Sequence, residues 1–386
     1  MTRLLIKNAR IVMLDRVLEN GALLVDGNKI ADIFPAEQAA TVTADTQVDA
    51  HGAWAIPGLI DTHIHGFGGF GPEQGTPEAL LNMSLALAKQ GVCAFCPTLY
   101  ATHPTKLTQL LRTLVPAIGQ EKGARILGFH LEGPFISPAK PGAMKPQDIV
   151  TPDVQIMQAL YEAAQGHITA ITLAPELENI APIVQFCLQH HIIPQAGHTD
   201  ATYDEFCRGI DMGIKHVTHA FNAMRPFNHR EPGAAGGVLM RTDVSCEFIG
   251  DGVHVHPQII SFLRRVKSED KLVLITDALT PTAQPNGPFI ANGDRVVFEG
   301  GVWRRKSDKV ITGSALTLPK GIKNLVTWGY SMGQAVRCAT ANPAALLQLK
   351  NRGQIARGFQ ADILLLNKDF APEKLLIGGN IKNIID

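Results

Sequence analysis

Six side chains of metal-binding or proton-moving type stand where apolar runs of this sequence give out: His63, His65, Glu132, His198, His219 and Asp277. The first two belong to Asp61-Thr62-His63-Ile64-His65-Gly66, which follows the apolar approach Ala53-Trp54-Ala55-Ile56-Pro57-Gly58-Leu59-Ile60. Side chains alternate along a strand, so His63 and His65 share a face. Two imidazoles side by side at the end of a buried strand can grip one divalent metal. A His-x-His pair alone is weak, since surface strands also carry it; its weight comes from the residues that accompany it.

His130-Leu131-Glu132-Gly133-Pro134-Phe135 sets a carboxylate on the same face as His130, where it could bind one metal or bridge two. Ala196-Gly197-His198-Thr199 puts an imidazole after a glycine that lets the backbone bend. In His216-Val217-Thr218-His219 the second histidine is nearer the strand end and is the expected ligand, leaving His216 to the core or behind the ligands. Thr276-Asp277-Ala278 supplies a carboxylate facing the water that a metal would hold. Such an ion lowers the pKa of bound water from 15.7 to about 7. A neighbouring carboxylate then takes the proton and returns it to a leaving amine.

The elements that must position these groups alternate. Strands are expected at 56–63, 92–98, 126–132, 168–173, 192–198, 216–219, 244–249 and 271–277. Helices are expected between them at 77–90, 104–118, 152–165, 180–191, 202–212 and 257–266. Eight βα repeats close into a (β/α)8 barrel of TIM type, whose active site lies at the C-terminal ends of the strands. An open doubly wound sheet would not gather residues from so many strand ends. Residues 1–56 and the C-terminal stretch share a β-rich style, with Asp26-Gly27 as a hairpin signal. The expected organisation is a small β-sandwich domain from 1–56 and 344–386, and a barrel over 57–343 with a β-hairpin insertion near 285–312.

The 386 residues hold 35 Lys+Arg against 35 Asp+Glu, which argues against a broad nucleic-acid or membrane-surface footprint. No run nears the roughly 18 apolar residues of a membrane span, and charge breaks the N-terminus too early for a secretory segment. A cytoplasmic protein with reduced thiols is expected. The CxxC spacing of Cys93 and Cys96 lies in an apolar strand and reads as core packing. Gly66-Phe67-Gly68-Gly69-Phe70-Gly71 lacks Rossmann spacing and reads as a flexible rim loop. His and Glu ligands suit zinc first, with iron, manganese or cobalt as alternatives.

Together the motifs resemble the N-acetylglucosamine-6-phosphate deacetylase family of the amidohydrolase superfamily, from residue 1 to about 366. The signs are Pro57-Gly58-Leu59-Ile60-Asp61-Thr62-His63-Ile64-His65-Gly66, His130-Leu131-Glu132-Gly133-Pro134-Phe135, Thr218-His219-Ala220-Phe221-Asn222-Ala223-Met224, Asp251-Gly252-Val253-His254 and Thr312-Gly313-Ser314. The resemblance implies Glu132, His198 and His219 as principal metal ligands, and His63 and His65 as a pair used for a second ion in some members. One or two ions are thus open. It implies Asp277 as general base and acid, with His254 as a helper in catalysis. Ala143, Asn222, Ala223, Arg230, His254, Ile311, Thr312 and Gly313 match contacts to an amino-sugar phosphate, Arg230 reaching across a homodimer interface. The implied reaction is hydrolysis of an acetamide in amino-sugar catabolism or cell-wall recycling. One position departs: Met144, where the family often carries Gln or His, donates no hydrogen bond.

Other readings remain beside it: the galactosamine epimer as substrate, a cyclic amidase or deaminase on the same barrel, or a non-catalytic sugar-phosphate scaffold. The cyclic amidases use a carboxylated lysine near the end of the fourth strand, and residues 168–175 contain none. A scaffold would have no use for Asp277.

Overall fold

The computed structural model describes residues 3–285 and 287–382. Eight strands run parallel in chain order: Leu59–Ile64, Val92–Tyr100, Phe129–Glu132, Ile168–Leu173, Ile193–Ala196, His216–Val217, Ser245–Ile249 and Leu272–Ile275. Each is followed by a helix packed outside: Pro77–Lys89, Pro104–Leu114, Val154–Ala163, Ile180–Gln189, Tyr203–Met212, Gly233–Met240, Pro257–Val266 and Leu318–Thr327. The strands are nearly continuous apolar runs because both faces are buried. Helix starts carry local signals: Thr76 caps Ala79, and Thr202 and Glu205 form a reciprocal capping box.

The ring closes between the last strand and the first. The Asp277 N–H donates to His63 O at 2.9 Å, and the His65 N–H to Ala278 O at 2.9 Å. Asp61 reinforces this seam, accepting from Thr276 Oγ1 at 2.6 Å. Complete burial pushes the Asp61 carboxyl up to about 7, against the Thr276 hydrogen bonds.

Helix Gly233–Met240 is hidden by its composition, since glycine is a poor helix former. Packing explains it: a Cβ on Gly237 would stand 2.2 Å from Phe206 Cδ1. The glycine-rich segment after His65 is tied to the loop beyond the eighth strand by its backbone. The Gly68 N–H donates to Thr282 O and the Gly69 N–H to Thr280 O, both at 2.8 Å.

The two chain ends build a second, smaller unit. Arg3–Val12, Val17–Asp26, Lys29–Pro35, Thr46–Asp49 and Trp54–Pro57 join Ile363–Leu366, Pro372–Ile377 and Asn380–Lys382 in one mixed sheet. Its two halves meet where Trp54–Pro57 pairs antiparallel with Ile363–Leu366. The edge strand Lys29–Pro35 also meets the segment leading into Ile363–Leu366, the Ile30 N–H donating to Phe359 O and the Ala361 N–H to Asn28 O, each at 2.9 Å. The sheet thereby wraps a core of Ile6, Ile11, Leu23, Ile363 and Leu365.

Between the eighth strand and its helix lies a four-stranded antiparallel sheet of Phe289–Ala291, Asp294–Glu299, Val302–Arg305 and Ile311–Ser314. The Ser314 N–H donates to Asp277 O at 2.9 Å, which ties its last strand to the barrel mouth.

Candidate metal centre and active site

The alternation of the first strand places the ring nitrogens of His63 and His65 together, Nε2 to Nε2 at 3.4 Å. Glu132 ends the third strand between two groups of donors. Its Oε1 lies 2.8 Å from His219 Nε2 and 3.1 Å from His198 Nε2. Its Oε2 lies 3.1 Å from His65 Nε2. Asp277 Oδ1 faces the other side of the first pair, 3.5 Å from His63 Nε2 and 3.4 Å from His65 Nε2. Two triads result, Glu132–His198–His219 and His63–His65–Asp277, with the donor atoms in each within 4.8 Å of one another.

Three of these ligand candidates lie just beyond the strand ladders, in left-handed backbone: His198 at φ 47, His219 at φ 26 and Asp277 at φ 50. Such conformations are uncommon outside glycine and cluster at functional sites. The bend expected at Gly197 falls on His198 itself. Gly197 is required for close approach, since a Cβ there would meet Thr172 and Thr218 at 2.8 Å.

The far ring nitrogens are anchored. His65 Nδ1 donates to Thr98 O at 3.1 Å and His198 Nδ1 to Lys140 O at 3.0 Å, which leaves each Nε2 lone pair facing Glu132. His63 Nδ1 reaches Glu247 Oε2 at 3.3 Å. Imidazole lone pairs and carboxylate oxygens converging in a buried space have only protons or a cation to hold them together. The donor set therefore fits a divalent ion.

Without an ion, protons fill that role. Burial would push His63 down, but the Glu132, Glu247 and Asp277 charges raise it to about 10. Burial would likewise raise Glu132, but His63 and the bonds from His198 and His219 hold it well below the usual carboxylate range.

Above the centre opens a cavity of about 330 Å³. Its wall includes Ala143, Asn222, Ala223, His254, Ile311, Thr312 and Gly313, together with the ligand candidates His65, Glu132, His198 and His219, and Asp277. His63 lies fully buried behind them. His254 Nδ1 is held by Asp251 Oδ2 at 2.6 Å, which leaves Nε2 as the free ring nitrogen. Met144 also lines the wall and packs with Tyr100, Leu279 and Trp303 in an apolar cluster. Arg230 is not brought to this cavity; it is exposed on the loop after the sixth strand.

Sequence reasoning missed the layer beneath. Glu247 bonds Thr62 Oγ1 at 2.8 Å as well as His63. His130 Nε2 and Thr172 Oγ1 lie 2.8 Å apart, with Thr172 in turn 2.7 Å from Thr218. Burial and the His63 charge push His130 down to about 3, so its ring stays neutral. The signal for Glu247 was present: one acid inside the apolar run Val244–Ile249. Tyr100, stacked on His65, lay two residues past the expected end of the second strand.

A closed eight-stranded barrel with such a donor set at its C-terminal mouth defines a hydrolase of the amidohydrolase class. The chain matches the Amidohydrolase family over residues 54–382 and belongs to it. It is 30% identical to N-acetylglucosamine-6-phosphate deacetylase of Lysinibacillus sphaericus over 383 residues, covering 98% of this chain and 97% of that one. It is 29% identical to N-acetylgalactosamine-6-phosphate deacetylase of Escherichia coli O157:H7, covering 84% and 86%. Among solved structures it superposes on an aspartate-to-alanine variant of the Mycobacterium smegmatis N-acetyl-D-glucosamine-6-phosphate deacetylase in complex with N-acetyl-D-glucosamine-6-phosphate. The TM-score is 0.92 at 28% identity, with both chains covered completely.

Proposed function

We propose that this chain hydrolyses the acetamide of N-acetylglucosamine 6-phosphate to glucosamine 6-phosphate and acetate. The observation that carries this reading is Glu132 set between two donor triads, with Asp277 in one of them at the floor of a cavity of sugar size. When bound, a divalent ion supplies Lewis acidity, polarising the carbonyl and acidifying water. Zinc suits the imidazole and carboxylate donors, with iron, manganese or cobalt as substitutes, one or two per chain.

The residues of the chain do the rest. Asp277 accepts a proton from the attacking water as its oxygen bonds to the carbonyl carbon. As the C–N bond breaks, Asp277 returns that proton to the nitrogen, and acetate and the amine leave. His254, oriented by Asp251, offers its free ring nitrogen to the acetyl oxygen or to sugar hydroxyls. Backbone at Ala143, Asn222, Ala223, Ile311, Thr312 and Gly313 frames the sugar, and Met144 adds apolar wall.

Arg230 is assigned to the phosphate. Its exposure outside its own cavity supports delivery to the cavity of a second copy, and hence a homodimer. No helix is long and apolar enough to cross a membrane among the described residues; with the reduced cysteines, this supports a cytoplasmic enzyme.

The test is acetate release from N-acetylglucosamine 6-phosphate and its galactosamine epimer, with and without a chelator. Chelator-sensitive release, faster from the glucosamine compound, is expected. Faster release from the epimer would reassign the sugar, and no release from either would overturn the reading.

A further inference from the structure

Beneath the donor cluster lies a carboxylate for which the reaction above has no use. Glu247, on the seventh barrel strand, is fully buried. Its Oε1 accepts from Thr62 Oγ1 at 2.8 Å and its Oε2 faces His63 Nδ1 at 3.3 Å, with His216 Nε2 3.7 Å away. Among the described residues its ion pairs are with these two histidines, and no lysine or arginine meets it. A carboxylate taken wholly out of water is costly unless a cation compensates it. The ring it touches carries its other nitrogen straight to the ion site, 3.5 Å from Asp277 Oδ1 and 3.6 Å from Glu132 Oε1.

We infer that Glu247 is the positioning residue that keeps the His63–His65–Asp277 group competent to hold an ion. The inference rests on the metal-centre reading above and deepens it. With its proton committed to Nδ1 by Glu247, His63 keeps the Nε2 lone pair for an ion; a carboxylate behind a ligating histidine fixes that tautomer and raises its basicity. Without the carboxylate, the proton is free to sit on Nε2 and close the site.

Formal charge points the same way. Glu132, Asp277 and Glu247 bring three negative charges to the centre. One divalent ion leaves these carboxylates in excess, whereas two offset all three. Glu247 has no side-chain bond to His198 or His219, so the Glu132–His198–His219 site stands without it.

The experiment counts ions on stripped protein reloaded with Mn2+, by elemental analysis and by electron paramagnetic resonance. Wild type should bind two ions and show the spectrum of a coupled pair. Glu247→Gln presents an amide N–H to Nδ1, and should bind one ion with an isolated-ion spectrum. Glu247→Asp, a methylene short but still charged, should recover the pair with the second ion about 10–100-fold weaker, and it serves alone if the Gln variant does not fold. A single ion on wild type at saturation, or two ions at unchanged affinity on either variant, would overturn the inference. Ion counting needs no substrate, so failure of the deacetylase reading would show separately, as absent acetate release from a two-ion protein.

Discussion

His65 lies flat against Tyr100, ring centroids 3.8 Å apart and planes 4° from parallel. With Nδ1 on Thr98 O, this contact fixes the ring in both rotation and tilt. The Tyr100 hydroxyl is buried and has no hydrogen-bond partner, so the ring, not the hydroxyl, carries the effect. Tyr100→Phe should keep turnover within about twofold and leave stability unchanged or slightly raised, because it removes an unpaired buried polar group. Tyr100→Leu should lose at least the roughly 0.5–1.5 kcal/mol of an aromatic pair and lower kcat as His65 loosens. Urea unfolding and acetate release check both. A Phe variant as impaired as the Leu variant would shift the role to the hydroxyl.

Asp277 is assigned proton transfer, and the size of that effect is bounded. Asp277→Asn keeps shape and an oxygen but cannot take a proton, so kcat should fall by about 10²–10⁴-fold. The ion of the Glu132–His198–His219 group, counted on the same preparation, should hold because its ligands are untouched. Unimpaired turnover would remove Asp277 from the chemistry.

The charge of His63 makes a pH prediction for stability. In the ion-free protein its pKa is raised from 6.5 to about 10. A raised value means that the folded state holds the proton more tightly, so the added stability is full below about pH 6.5 and is lost as pH rises towards 10. The urea midpoint of ion-free protein should therefore fall between about pH 7 and 9, more steeply than that of ion-loaded protein, in which the ion takes the proton's place. Groups remote from the centre, such as Lys267 and the buried cysteines, contribute to both forms and cancel in the difference. Parallel pH profiles for the two forms would contradict the assignment.

How far these features could be read from the chain depends on whether the signal is local. Eight short apolar runs set the strand order, and five of them end in a group with chemistry, so the convergence of Glu132, His198, His219 and Asp277 follows from pattern and period. The His63–His65 pairing needed only alternation. Left-handed backbone at His198, His219 and Asp277 was not legible, because the enrichment of His and Asp in that region does not single out a position. Nor was the pinning of Gly68 and Gly69, which depends on carbonyls at Thr280 and Thr282 more than two hundred residues away. Glu247 was legible only in kind, as an acid in an apolar run; its partners Thr62 and His63 come from the first strand and could be found only by closing the ring.

Arg230 sets the last expectation, since it stands exposed while the cavity that it is assigned to serve lies elsewhere. If its guanidinium meets the substrate phosphate in a second copy, Arg230→Ala should lower kcat/KM for the phosphorylated sugar by about ten- to a hundredfold, the value of a charged hydrogen bond. The loss should sit in KM, because the phosphate is remote from the bond that breaks. The unphosphorylated sugar, which offers Arg230 no phosphate to bind, should be affected little. Mixing the Arg230→Ala chain with an Asp277→Asn chain provides the sharper check: a mixed dimer joins an intact Asp277 cavity to an intact Arg230 from the other copy, so activity on the phosphorylated sugar should rise above that of either variant alone. If the mixture showed only the sum of its parts, Arg230 would act within its own chain or not at all.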